Sequence, residues 1–88
     1  MTNISTIEQK LHAVLADVLG LPPARVAALT PETGLFGAMP ELDSMAVAGL
    51  LTELEDQFHV VIEDDEVSGD MLETVGSLSR YIAAKLHR

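Results

Sequence analysis

The 88-residue sequence contains no cysteine and no tryptophan, and it has only one tyrosine and two phenylalanines. Without cysteine the chain can form neither a disulfide nor a thiolate metal site, and it has no thiol of its own for covalent chemistry. A domain of this size has room for one compact core, which must here be built from Leu, Val, Ile, Ala and Met. Aliphatic cores of this kind suit helix packing, and we expect one domain over residues 1–88.

Basic residues are also scarce, with five Lys and Arg against fourteen Asp and Glu and a formal net charge of -9. This charge opposes binding to nucleic acid or to anionic lipid, and it favours encounter with basic protein surfaces. No apolar run approaches the roughly 20 residues of a membrane span, and the N-terminus lacks the features of a secretory signal. We therefore expect a cytoplasmic monomer with protein partners, no nucleic acid and no membrane span.

Apolar residues recur at helical spacing in three segments of the chain. The pattern predicts a first helix over residues 4–20, a second from Asp43 or Ser44 to about Phe58, and a last helix that follows Thr74. On a helical wheel of the second helix, four apolar residues lie within about 60° of Val47 and predict a buried stripe. They are Leu50, Leu51, Leu54 and Phe58.

Two further segments complete the predicted fold. Asp64 and Asp65 favour the start of a short third helix that ends near Gly69. Residues 21–42 contain all four prolines and predict a long ordered loop between the first and second helices. We expect four apolar side chains to anchor this loop: Val26, Leu29, Leu35 and Phe36. The prediction is an all-α four-helix bundle with a short third helix.

Ser44 is the candidate functional residue. The pair Asp43-Ser44 by itself is an ordinary helix start, because either side chain can accept a hydrogen bond from an unpaired amide of the first turn. The stretch Glu41-Leu42-Asp43-Ser44-Met45, however, resembles the Asp-Ser-Leu attachment motif of acyl and peptidyl carrier proteins. The resemblance covers nearly the whole chain and continues through Leu50, Leu54-Glu55, Phe58, Val60-Val61-Ile62, Asp64-Asp65-Glu66 and Thr74-Val75.

The resemblance implies a function for this site. It implies that a phosphopantetheinyl transferase, using its own Mg²⁺, attaches 4'-phosphopantetheine to Ser44, and that acyl groups travel as thioesters on this arm. Asp43 would orient the site and help to hold the metal of the transferase. The other implied partners are enzymes that load and transfer acyl groups. The chain would be a free-standing carrier, modified by an enzyme but not itself an enzyme.

The outward face of the second helix is the candidate docking surface for partners. Its first turns are small and uncharged, and Met45 stands where these carriers commonly have Leu. The predicted docking residues are Met45, Ala48, Gly49, Thr52, Glu55 and Asp56. This composition is more typical of a specialised carrier than of the carrier of fatty-acid synthesis.

Leu42 has two interpretations, as an anchor for the preceding loop or as part of the surface that the transferase contacts.

The same residues do not fit two other kinds of site. Residues 42–46 lack the Gly-x-Ser-x-Gly turn of serine hydrolases, so we expect no catalytic residue. The acidic run Glu63-Asp64-Asp65-Glu66 lacks the alternating ligands of a calcium loop, so we expect no metal site. Two alternatives remain open at this point. One is an aminoacyl or peptidyl carrier of a nonribosomal pathway, and the other is an unmodified helical interaction domain in which Ser44 only caps a helix.

Overall fold

The computed structural model of the protein describes residues 4–86, with side chains from Thr6 to Leu86. Its helices are α1 (Ile4–Leu19), α2 (Pro23–Ala27), α3 (Ser44–Phe58) and α4 (Val75–Leu86), with a 3-10 turn at Asp64–Glu66. Within the described residues β-structure is limited to an isolated bridge between Gly34 and Thr74. Helix α1 packs against both α3 and α4. The predicted all-α fold is confirmed.

The core is aliphatic and draws on every long helix. It contains Ile7, Leu11, Val14 and Leu15 from α1, Leu50, Leu54 and Phe58 from α3, and Val75, Leu78 and Ile82 from α4. Of the stripe predicted on α3, Val47 and Leu51 are half-buried, and the other three residues are buried. Helical periodicity therefore identified the faces that meet in the core.

The ends of the long helices have clear chemical causes. Helix α1 ends at Leu19, one residue before the predicted end, and is followed by Gly20, whose φ of 66° lies in the left-handed region that glycine adopts without a steric cost. At the start of α4, the amide of Ser77 donates to Thr74 Oγ1 and the amide of Thr74 donates to Ser77 Oγ, each at 3.0 Å. This reciprocal capping confirms the predicted start of the last helix after Thr74.

The loop between α1 and α3 is tied to the segment that precedes α4. The amide of Leu35 donates to the Glu73 carbonyl and the amide of Phe36 donates to the Leu72 carbonyl, both at 2.9 Å. Leu35 is fully buried, as predicted, but the prediction that Phe36 anchors the loop is wrong, since this side chain is 47% exposed. Phe36 begins a surface turn, in which the amides of Ala38 and Met39 donate to the Leu35 carbonyl at 3.1 and 2.8 Å, and its side chain faces solvent there.

The short third helix is smaller than predicted. It is a single 3-10 turn over Asp64–Glu66, with Glu63 as its N-cap, and Val67 is already extended. The prediction that it continues to Gly69 is wrong. β-Branched Val67 and the glycine itself are poor helix formers, and Val67 is half-buried in its extended conformation.

Glu66 attaches this turn to helix α4. Its carboxylate accepts hydrogen bonds from Lys85 Nζ at 2.8 and 2.9 Å and from the Tyr81 hydroxyl at 2.9 Å. The Lys85 side chain is only 9% exposed in this ion pair. The hydrogen bonds from Lys85, from the Glu63 amide and from Tyr81 lower the pKa of Glu66 to about 2.

This pKa shift predicts how stability depends on pH. Because the pKa of Glu66 is lower in the folded chain than its usual value of 4.5, its contribution is fully present above pH 4.5 and is lost as pH falls towards 2. Glu66→Gln is therefore expected to lower the free energy of unfolding at pH 7, and the difference from wild type should shrink below pH 4.5. Urea unfolding of both proteins at pH 7, 4 and 3 measures this, and a difference that stays constant with pH would contradict it.

Candidate functional site

Ser44 is the first residue of α3 and its side chain is exposed. Asp43 precedes it as the N-cap, and Asp43 Oδ1 accepts a hydrogen bond from the Ala46 amide at 2.8 Å. The Ser44 hydroxyl has no hydrogen-bond partner among residues 4–86. The sequence could not decide whether Asp43 or Ser44 caps α3. In the structure Asp43 is the cap, and the Ser44 hydroxyl is left available.

The backbone at Ser44 offers hydrogen-bond donors as well. The amides of Ala46 and Val47 are occupied by Asp43, through its side chain and its carbonyl. The amides of Ser44 and Met45 have no acceptor within the part of the chain that the structure describes. The positive end of the 15-residue helix dipole lies at the same point, so the site favours an anionic group.

Two open grooves meet at Ser44. The helix groove, of about 280 Å³, runs between α3 and the segment before α4 and is lined by Phe36, Ser44, Val47, Val67, Ser68, Gly69 and Leu72. The loop groove, of about 370 Å³, lies on the other side and is lined by Phe36, Gly37, Ala38, Met39, Pro40, Leu42, Asp43 and Ser44. Only Ser44 and Phe36 line both grooves.

The loop that leads into Ser44 is held firmly at the protein surface. Met39 and Leu42 are buried, and the Leu42 amide donates to the Met39 carbonyl at 3.0 Å. Arg25 of α2 binds both carboxylate oxygens of Glu41, at 2.8 and 3.3 Å, and these hydrogen bonds lower the pKa of Glu41. Leu42 is only 3% exposed, which supports its interpretation as a loop anchor.

The predicted docking residues lie on one side of α3. Met45 is 86% exposed, and Ala48, Gly49, Thr52 and Asp56 are exposed with it. Glu55 differs from the others because it is half-buried, and Glu55 Oε2 accepts a hydrogen bond from the Ile62 amide at 2.8 Å. Glu55 therefore also holds the chain that leaves α3.

Sequence reasoning missed most residues that surround Ser44. Val67, Ser68, Gly69 and Leu72 come from the segment before α4, which the backbone bonds to Phe36 bring beside α3. These residues lie more than twenty positions from Ser44 in the sequence, and no spacing pattern predicts contacts over that distance. Phe36 was missed because its apolar side chain was expected in the core. The one local signal was a large apolar side chain, Phe36, within the proline-containing loop.

The fold and the site define a class of protein: a small helical domain with an exposed serine hydroxyl at the start of a central helix. The family model described as a phosphopantetheine attachment site matches residues 9–82. An acyl carrier protein of Beutenbergia cavernae is 34% identical over 84 residues, covering 91% of this chain and 95% of the relative. The solution structure of a holo acyl carrier protein from Nitrosomonas europaea is 41% identical with a TM-score of 0.83, covering 93% and 96% of the two chains.

The chain therefore belongs to the acyl carrier protein family, and its cofactor is a covalently bound phosphopantetheine. None of the helices formed by residues 4–86 is long and apolar enough to cross a membrane. Ser44 is not the cap of α3 as one alternative had it, since the cap is Asp43.

Proposed function

We propose that Ser44 is the attachment residue for phosphopantetheine, and that the chain presents acyl groups on this arm to partner enzymes. The observation that carries the proposal is the free, exposed hydroxyl of Ser44 at the start of α3, where the capping bond is made by Asp43 instead. A transferase can modify this hydroxyl without breaking a hydrogen bond of the fold.

The residues at the site fit a phosphodiester on Ser44. The unpaired amides of Ser44 and Met45 and the helix dipole favour its negative charge, so no basic side chain is required. The bound arm supplies the thiol that this cysteine-free chain lacks and holds acyl groups as thioesters. The chain itself supplies the hydroxyl, the anion-stabilising helix terminus and the flanking grooves.

Asp43 has a second role in this proposal. Its Oδ1 caps α3, and Oδ2 has no hydrogen-bond partner among the described residues. A carboxylate oxygen next to the modified serine is a suitable ligand for the Mg²⁺ of a phosphopantetheinyl transferase, because Mg²⁺ prefers oxygen ligands and commonly binds one carboxylate together with phosphates.

Peptide mapping tests the attachment residue directly. Incubation of the protein with a broad-specificity phosphopantetheinyl transferase, coenzyme A and Mg²⁺ should add the mass of one phosphopantetheinyl group, located on the peptide that contains Ser44. The peptide that contains Ser68 is an internal control, because Ser68 is exposed and lines the helix groove, yet its hydroxyl accepts a bond from the Met71 amide. Modification at Ser68, or none at all, would overturn the proposal.

A separate measurement identifies the cargo: mass analysis of the acyl group on protein isolated from the native host.

The outward face of α3 completes the proposal as the surface where partner enzymes dock. Met45 projects beside Ser44, and the next turn adds only Ala48 and Gly49, so a partner can approach the helix backbone closely. An exposed methionine suits such a contact because its unbranched thioether side chain adapts to different surfaces. Acids further along α3 and the net charge of -9 add electrostatic attraction to basic partners.

Met45→Asp tests this docking surface. We expect the rates of arm attachment and of acyl transfer by a partner to fall about tenfold, equivalent to about 1.4 kcal/mol of lost binding. An acid in the first turn of a helix is favourable, so the variant should remain folded. Steady-state kinetics with the transferase and with a partner acyltransferase give the rates.

Val61→Asp is the matched control for Met45→Asp. Val61 is 65% exposed and the substitution changes the net charge equally. Val61 follows the C-terminal end of α3, and this end lies about 21 Å from Ser44 along the helix axis. Equal rate losses in the two variants would mean that net charge, not the Met45 surface, controls the encounter.

A further inference from the structure

Phe36 is a large apolar side chain held at the surface beside Ser44. It is 47% exposed, whereas Phe58, the other phenylalanine of the chain, is 5% exposed. Its amide is bonded to the Leu72 carbonyl at 2.9 Å, and the neighbouring Leu35 is fully buried. The amides of Ala38 and Met39 donate to the Leu35 carbonyl, so Phe36 lies in a turn at the surface and this turn holds the ring outside the core.

The position of Phe36 relative to Ser44 is specific. Phe36 forms a wall of the helix groove and of the loop groove, and Ser44 lies at the point where these grooves meet. A group attached to Ser44 that enters either groove therefore meets the Phe36 ring. Among residues 6–86, the two other large hydrophobic side chains that are exposed, Met45 and Val61, line neither groove.

We infer that the Phe36 ring is the surface on which this chain holds its own phosphopantetheine arm, an inference that rests on the proposed attachment at Ser44. The arm carries an apolar dimethyl group close to its phosphate end, within the reach of a side chain that shares two grooves with the attachment residue. Contact with this group covers apolar ring surface that otherwise faces water. Tethering gives the arm a high effective concentration at the ring, which a free ligand does not have.

Nuclear magnetic resonance of the modified protein tests this contact. The arm is attached enzymatically, and its presence on Ser44 is verified by mass. We expect nuclear Overhauser effects between the Phe36 ring protons and the arm methyl groups, and an upfield ring-current shift of these methyl resonances relative to free coenzyme A. Assignment is simple because the chain has only two phenylalanines.

Two variants sharpen the test. In modified Phe36→Leu the upfield shift should be lost, although an apolar side chain remains at this position. Modified Val61→Ala removes an exposed apolar side chain outside both grooves and should keep the shift. The amide spectra of both variants report whether the fold is intact, and the wild-type Overhauser effects decide the question independently of either variant.

The result that overturns this inference is distinct from the failure of the proposed function. If Ser44 is modified but the arm methyl groups keep the chemical shifts of coenzyme A and show no Overhauser effect to the Phe36 ring, the arm does not bind there. If no phosphopantetheinyl mass is found on Ser44, the proposed attachment itself is wrong.

Discussion

Ser44→Ala is expected to abolish attachment of the phosphopantetheinyl group while leaving the fold almost unchanged. In the proposed attachment the Ser44 hydroxyl is the nucleophile that forms the phosphodiester, and alanine has no atom to replace it. The same hydroxyl makes no hydrogen bond among residues 4–86, so its removal should change the free energy of unfolding by less than about 0.5 kcal/mol. Intact-protein mass spectrometry after incubation with the transferase, together with urea unfolding, measures both effects.

Substitutions at Asp43 provide the contrasting control. Asp43→Ala removes the cap of α3 and should cost about 1 kcal/mol of stability. Asp43→Asn keeps a good capping residue but removes the charge, so it should be nearly as stable as wild type and should be modified more slowly. If Ser44→Ala were as destabilising as Asp43→Ala, the separation of capping from attachment would be wrong.

Leu42→Ala is expected to be the most destabilising single substitution near the site. Leu42 is 3% exposed and packs in the same core as the long helices, so truncation should cost about 2–4 kcal/mol through lost burial and a residual cavity. A domain of this kind has a total stability of only about 5–15 kcal/mol. Urea unfolding measures the loss. Because Leu42 lies two residues before Ser44, arm attachment should slow as well.

Two comparisons separate the interpretations of Leu42. Leu42→Met conserves most of the volume and should recover most of the stability, at a cost below about 1.5 kcal/mol. Met45→Ala is also close to Ser44, at the next position, but removes a side chain that is 86% exposed, so the free energy of unfolding should not change measurably. If Leu42→Ala slowed attachment without lowering stability, Leu42 would act through the transferase surface and not as an anchor.

Much of the fold could be predicted because its signals are local. The boundary of α1 depends on Gly20 and the start of α4 on Thr74, and both are set by chemistry within a few residues. The third helix was predicted too long because the acids at its start are a local signal, whereas Val67 is half-buried in an extended conformation, which tertiary packing decides.

The site was predicted less completely than the fold. Ser44 and Asp43 were identified from a motif, yet the sequence could not decide which of the two caps the helix, because both residue types do so. The assignment of Phe36 to the core was a reasonable inference from its apolar side chain. It failed because the chain turns directly after the buried Leu35, and Phe36 lies in that turn at the protein surface.

The sequence by itself determined the helical class, the acidic surface and the serine at the start of α3, because composition and helical periodicity act over neighbouring residues. Only the tertiary structure decided what surrounds that serine. The backbone bonds from Leu35 and Phe36 to Glu73 and Leu72 bring two distant segments together, and this long-range pairing places an exposed aromatic ring between two grooves at Ser44.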